Sequence, residues 1–350
     1  MERKLASIQR IADLKAIEGA NKIEVATILG WHCVVSKGEF KIGDPCVFFE
    51  VDSLLPVKPE YEFLRKGCYN PRLNGFRIKT VKLRGQVSQG LALPITILND
   101  YAIPEEGTDL TDSLFITKYE APIPAEMAGK IKGTFPVFIP KTDEPRLQGI
   151  PPVIERYSDV LFYETEKLDG TSLTVFLKDG YFGICSRKNE WLPEDSNLYV
   201  TTAKQFHMEE RLKALGQNIA VQGEIIGPGI QGNKYGLAER EIRVFSIYSI
   251  DEGKYLSFDE YFKTFFTLCD TIATEELKIC PATRGNPYTL GTWQTIDELV
   301  EHSKGMSLLN PSTPREGLVI RAMVEQEDPR IGRLSFKVIN PDFLLREKDE

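Results

Sequence analysis

The sequence predicts an α+β protein in two parts, an all-β N-terminal barrel and a larger domain that mixes strands with helices. Three observations carry this. The first hundred residues read as short, β-branched strands cut by glycine and proline. Beyond residue 136, strand patterns alternate with helical ones. A length of 350 residues also suits two domains better than one.

The elements run in this order. "KIEVATILGWHCVV" at 22–35 is a loosely alternating strand region. "SKGEFKIGDPCVFFEVDSLLP" supplies a turn, a Gly-Asp-Pro breaker and another apolar strand. "FRIKTVKLRGQVSQGLALPI" is rich in strand formers and interrupted by Gly85 and Gly90. The barrel is assigned to 1–120. The turn-rich stretch from 101 narrows to a linker at 121–135, and the second domain to 136–350. In that domain strands are expected at 160–167, 172–178, 181–186, 219–226, 242–250, 316–323 and 333–339. "NLYVTTAKQFHMEERLKALG" reads as one helix closed by Gly216. Ser257 with Glu260 and Thr295 with Glu298 are capping boxes opening two more helices.

Composition narrows the function. No run of eighteen apolar residues offers a membrane span. "MERKLASIQR" lacks the apolar core of a secretory signal, so an intracellular, most simply cytoplasmic, protein is expected, the nucleus included. The six cysteines contain no C-x-x-C pair and read as reduced core thiols, neither a disulfide frame nor a zinc site. The net charge is −8, but residues 1–100 hold 15 Lys and Arg against 11 Asp and Glu. The remainder holds 28 against 40, so the barrel is the basic part.

The chemistry centres on "YETEKLDGTSL" at 163–173. A lysine two residues before Asp-Gly fits a surface hairpin turn as readily as a reactive site. The residues beyond it change the balance. Ser186-Arg187 comes next, then Glu224 inside the apolar strand of "VQGEIIGPGIQGN", Phe245 in "VFSIYSI", Glu316 before Gly317 in "REGLVIR", and Lys337 in "RLSFKVIN". Charged residues recur at strand ends and inside strands, where packing would not select them.

This ordered set resembles the covalent nucleotidyltransferase superfamily of ATP-dependent ligases and RNA capping enzymes, and within it the RNA ligases. "IPKTDEPRLQ" at 139–148 and "GDPCVFFEVDSLLP" are similar to the subgroup with an N-terminal OB domain. The resemblance implies an OB-type barrel before a mixed antiparallel nucleotidyltransferase domain of the ligase adenylation (ATP-grasp-like) kind. It implies ATP and magnesium, with manganese as a substitute. It makes Lys167 the nucleophile that takes AMP, and Asp169, Glu224 and Glu316 the metal carboxylates, acting directly or through waters. Lys337 becomes the cation that favours an uncharged Lys167, whose free pKa is near 10.4. Arg187 is a ribose or phosphate contact, Arg146 an outer-phosphate contact, and Phe245 and Val319 sandwich adenine. Glu166 and Leu168 line the base pocket.

Taken singly, Phe245 and Val319 read as core, and Arg146 and Arg187 as solvated arginines. The three histidines are scattered. Arg72, Arg77, Lys79, Lys82 and Arg84 suit a nucleic-acid backbone or a solvated strand face equally. Trp31, Phe40, Phe48 and Phe49 suit base stacking or core packing.

Two residues depart from the family pattern. Ser335 stands where many ligases have the first of two lysines, and Ser172 where some RNA ligases have asparagine. No further barrel is expected after Lys337, which separates the chain from capping enzymes and conventional DNA ligases. The reading is an ATP-dependent RNA ligase in RNA repair, most simply monomeric, that joins 3′-hydroxyl and 5′-phosphate ends, nicked duplexes included. A DNA ligase, a GTP-using guanylyltransferase and a non-catalytic nucleic-acid-binding protein are the alternatives.

Overall fold

The computed structural model describes residues 3–98, 104–120, 129–272 and 276–346. The chain forms two compact units: Met1–Pro122 with Arg146–Val153 and Leu344–Glu350, and Ile123–Pro145 with Ile154–Phe343. Residues 121–128 of the expected linker lie outside the described residues. Ile131–Thr134, within that linker, is a strand paired with Asn189–Trp191 in the second unit.

In the first unit, β1 (Ala6–Arg10) pairs with β5 (Pro45–Phe49), which pairs with β8 (Leu91–Pro94), all antiparallel. A second three-stranded sheet joins β2 (Asp13–Ala16), β3 (Ile23–Ile28) and β4 (Trp31–Ser36). A separate hairpin is made by β6 (Val81–Leu83) and β7 (Gln86–Ser88). Alternation decides what is inside: in β4, Trp31, Cys33 and Val35 are buried. Trp31, Phe40, Phe48 and Phe49 are all core, each ring taking on the order of 200 Å² out of water. None is left to stack on a base. The six cysteines are free thiols, four of them buried.

The second unit is built on two sheets. The smaller places β9 (Leu161–Lys167) between Tyr288–Thr289 and β14 (Gly317–Ala322), with β15 (Ser335–Ile339) beyond. The larger contains β11 (Tyr181–Cys185), β10 (Thr171–Lys178), β12 (Ile219–Ile226) and β13 (Glu241–Ser249) in that order. Pairing between these strands is antiparallel.

The expected single helix at 197–216 is instead two, α1 (Leu198–Gln205) and α2 (Met208–Leu215). His207 breaks it by adopting a left-handed conformation with φ 51°. The break is stabilised from within. Phe206 and Met208 are both core, and the fully buried Arg211 donates to the carbonyls of Phe206 and Leu268 at 2.9 and 2.7 Å. Arg211 thus satisfies carbonyls that two helix ends leave open, one at the end of α1 and one near the end of α3 (Phe258–Asp270). Ser257 and Glu260 form the expected capping box at the start of α3. At α4 (Ile296–Ser303), Thr295 caps the Glu298 amide, while Glu298 reaches back to the Gln294 amide.

Candidate active site

β9 and β10 belong to different sheets, so Leu168, Asp169 and Gly170 carry the chain from one to the other. This crossing is why the Lys-x-Asp-Gly sequence gathers groups from both. Gly170 is required by contact: a Cβ there would stand 2.3 Å from the Ile225 carbonyl oxygen and 2.8 Å from Glu224 Cγ. The Gly170 amide hydrogen-bonds the Glu224 carboxylate.

Strand alternation sorts β9. Phe162, Glu164 and Glu166 face inward, while Tyr163, Thr165 and Lys167 take the other face. Register carries that second face across the sheet. Lys167 lies opposite Gly317, and Thr165 opposite Val319, which itself faces Lys337. Gly317 is also forced, since a Cβ there would lie 2.2 Å from the Val338 carbonyl oxygen. Lys167 Nζ stands 2.6 Å from Glu316 Oε1. Glu224 comes from the other sheet, opposite Ser172. Asp169 pairs with Lys234, and its amide donates to the Tyr235 hydroxyl at 2.7 Å.

Electrostatics correct one expectation. Burial alone would lower the Lys167 pKa, but Glu316, Glu224 and Asp169 outweigh it and hold the amine above the ordinary lysine value. Lys337 Nζ lies 3.2 Å from Asp143 Oδ1, and Asp143 Oδ2 accepts from Arg187 at 2.7 Å. Asp143 therefore bridges the two cations expected to meet phosphates. Burial pushes Glu224 up to about 8 and also raises Glu316, against the pull of Lys167 on both.

Among the described residues no three His, Cys, Asp or Glu side chains are arranged to enclose a metal ion. The charge balance still fits a hydrated one. Three carboxylates act on Lys167, burial raises two of them, and Glu316 Oε2 is buried without a hydrogen-bond partner.

The remaining expected residues divide between the two units. Glu166 is buried and accepts from the Leu308 amide at 2.7 Å, leaving Oε1 unpartnered. Leu168 is buried with Ile226, Tyr235 and Cys280, and Phe245 packs against that cluster. Val319 is buried in β14. Arg146 belongs to the first unit, where it pairs with Asp52 at 2.8 Å. Arg77, grouped above with surface cations, is tied to Asp52 and lies over the Tyr119 ring. Ser335 faces Arg321, whose guanidinium bonds Thr165 Oγ1 at 3.2 Å and stands 5.5 Å from the Phe245 ring.

Sequence reasoning missed Asp143, Lys234 and the cluster under β9. There Glu164 accepts from Thr283 Oγ1 and Tyr288 OH at 2.6 and 2.9 Å and meets His302 Nε2 at 2.9 Å. Burial would raise Glu164, but the bonds from His302 and Thr283 bring it below the usual range. The signal was legible: two glutamates two apart in one strand share its inner face.

A lysine at a strand end, ringed by carboxylates from two antiparallel sheets and preceded by a small β unit, defines the covalent nucleotidyltransferases as the class. The chain belongs to the RNA ligase family, whose model matches residues 161–339, while an OB-fold domain model matches 5–95. It is similar to Naegleria gruberi RNA ligase. The structure of that enzyme with PPi is 38% identical with a TM-score of 0.91, covering 100% of both chains. A mutant of it with AMP and Mn is 38% identical with a TM-score of 0.91, covering 99% of this chain and 100% of that one. A mutant with ATP and Mn gives 38% and 0.90 at the same coverage. No curated protein matches the chain.

Proposed function

We propose that the chain joins a 3′-hydroxyl to a 5′-phosphate of RNA, using ATP, in the repair of broken strands. The observation that carries this is Lys167 Nζ held 2.6 Å from Glu316, with Glu224 and Asp169 acting on the same amine. The Naegleria gruberi relative solved with ATP, AMP, PPi and Mn supports it.

Lys167 loses its proton and attacks the α-phosphorus of ATP. A P–N bond forms, and the P–O bond to pyrophosphate breaks. The 5′-phosphate of RNA then attacks the lysyl-AMP, and the P–N bond breaks. Finally the 3′-hydroxyl attacks the activated 5′-phosphorus and AMP leaves. A divalent ion held by Asp169, Glu224 and Glu316, directly or through waters, would neutralise the carboxylates that keep Lys167 charged and offset charge on the α-phosphate. The side chains do the rest. Phe245 and Val319 flank the adenine. Lys337 and Arg187 exchange Asp143 for phosphate or ribose oxygens, Arg187 in a planar fork that lysine cannot copy.

The test is incubation with radiolabelled ATP or GTP and magnesium, followed by denaturing electrophoresis. ATP should label the wild type and leave Lys167→Ala unlabelled, while pre-adenylylated RNA is still sealed better by that variant than RNA supplied with ATP. Persistent label on Lys167→Ala, or label from GTP alone, would overturn the proposal.

A further inference from the structure

The inner face of β9 carries two carboxylates, and both reach the same stretch of chain. Glu164 is fully buried and its pKa is held low, so its carboxylate only accepts. At the end of α4, His302 Nε2 donates to Glu164 Oε1 at 2.9 Å and lies 3.1 Å from Oε2. The Trp293 ring lies beside His302, with centroids 4.7 Å apart. Two residues along β9, Glu166 Oε2 accepts from the Leu308 amide at 2.7 Å, while Oε1 is buried without a partner. The apolar side chains between His302 and Leu308 do not press this stretch onto β9, since Met306 and Leu308 are 45% and 54% exposed. Further bonds tie it to 313–315 instead. The Ser307 amide donates to the Thr313 carbonyl at 2.9 Å, and Arg315 donates to the carbonyls of His302, Ser303 and Lys304. The hold on β9 itself is therefore polar, with Glu164 at one end of the stretch and Glu166 at the other.

We propose that His302 is a positioning residue for base selection. Through Glu164 it fixes the stretch that ends at Leu308, and the Leu308 amide in turn fixes where Glu166 directs its free oxygen. This rests on the ATP-dependent function proposed above, with Glu166 in the base pocket. A buried carboxylate oxygen without a donor is costly, and an incoming base supplies one. Adenine carries an amino donor where guanine carries a carbonyl acceptor. The first satisfies Glu166 Oε1, and the second sets one acceptor against another. A site built to bond a donor rejects a base that lacks it, and it does so only while the acceptor stays in place. The imidazole is separable from the hold that Arg315 has on the end of α4, because Arg315 bonds backbone carbonyls there. The next residue, Glu316, meets Lys167 at 2.6 Å. Removing the imidazole therefore loosens Glu166 and leaves the Glu316–Lys167 pair as it was.

The test measures Lys167 adenylylation by the full chain as wild type, His302→Ala and His302→Gln. Each is given ATP and, separately, purine riboside triphosphate, which lacks the 6-amino group. In wild type the KM for ATP should lie about tenfold or more below that for the analogue, as a hydrogen bond to a charged group implies. In His302→Ala the KM for ATP should rise about tenfold toward that of the analogue, with the analogue's KM and both kcat values changed by less than about twofold. His302→Gln, whose amide still donates to Glu164, should recover most of the preference for ATP. The ratio of the two nucleotides is taken within each variant, so a smaller folded fraction does not move it. A preference in His302→Ala equal to that of wild type would overturn the proposal. So would an equal rise in KM for both nucleotides, which marks a purely structural role, or a wild type that does not distinguish them. A wild type that neither nucleotide adenylylates would overturn the parent function instead.

Discussion

Glu224 is held at a cost to the fold, and replacing it with glutamine measures that cost. Its side chain is half-buried, and loss of water around the carboxyl raises its pKa from 4.5 to about 8. An acid whose folded pKa lies above its unfolded value exacts nothing below pH 4.5, where both states are protonated. Stability is then lost as pH rises toward 8, and the loss is complete above it. At about 1.4 kcal/mol for each pH unit in that window, the loss is about 3 kcal/mol at pH 7 and about 5 kcal/mol at pH 9. The Glu224→Gln side chain has the same shape and no such penalty. In EDTA, melts of wild type and Glu224→Gln should nearly coincide at pH 4.5 and separate as pH rises, with the variant the more stable by roughly 10 °C or more at pH 9. Adding magnesium or manganese should narrow the gap, because an ion that binds only the folded wild type stabilises it. The same variant should lose orders of magnitude in adenylylation, since a carboxamide brings no charge to a hydrated ion. A variant that melts at or below wild type from pH 7 to 9 would refute the reasoning. It would mean that Glu224 is charged and well paired, so that the strand carries it for stability.

Other perturbations test the same geometry. Gly170→Ala forces the β9–β10 crossing away from Ile225 and Glu224, so adenylylation should fall at least tenfold in a protein that still shows its native circular dichroism. Asp143→Asn removes the carboxylate that bridges Lys337 and Arg187, and the KM for ATP measured by pyrophosphate release should drop several-fold. Arg211→Ala removes the side-chain donor of the Phe206 carbonyl and leaves the Leu268 carbonyl with Thr271 Oγ1 alone, and it should destabilise the second unit by about 2 kcal/mol in urea titration, with ATP affinity little changed.

Much of the second unit was legible because its signals are local. The seven strands expected there form within two residues of their expected ends, since β-branched runs bounded by glycine and turn residues leave few alternatives. The Lys-x-Asp-Gly sequence, Glu224 inside β12 and Glu316 immediately before β14 could be read because a charge within or at the start of an apolar strand has no packing reason to be there. The same logic separated the four buried aromatics of the first unit from any base-stacking surface only once burial was known.

Residue type and strand pattern already say which residues carry charge and which strands hold or adjoin them. Tertiary structure decided what those charges do to one another. Lys167 was expected to be made neutral by Lys337, yet Glu316, Glu224 and Asp169 raise its pKa, while Lys337 lies beside Asp143, a residue 194 positions away. Arg211 was an ordinary helical arginine until the packing of α2 against α3 buried it and split the helix before it. Local pattern fixes which face a side chain takes, because alternation and helical period act over a few residues. Coulomb interactions and desolvation depend on distance in space, and only the closing of two sheets around one lysine sets those distances.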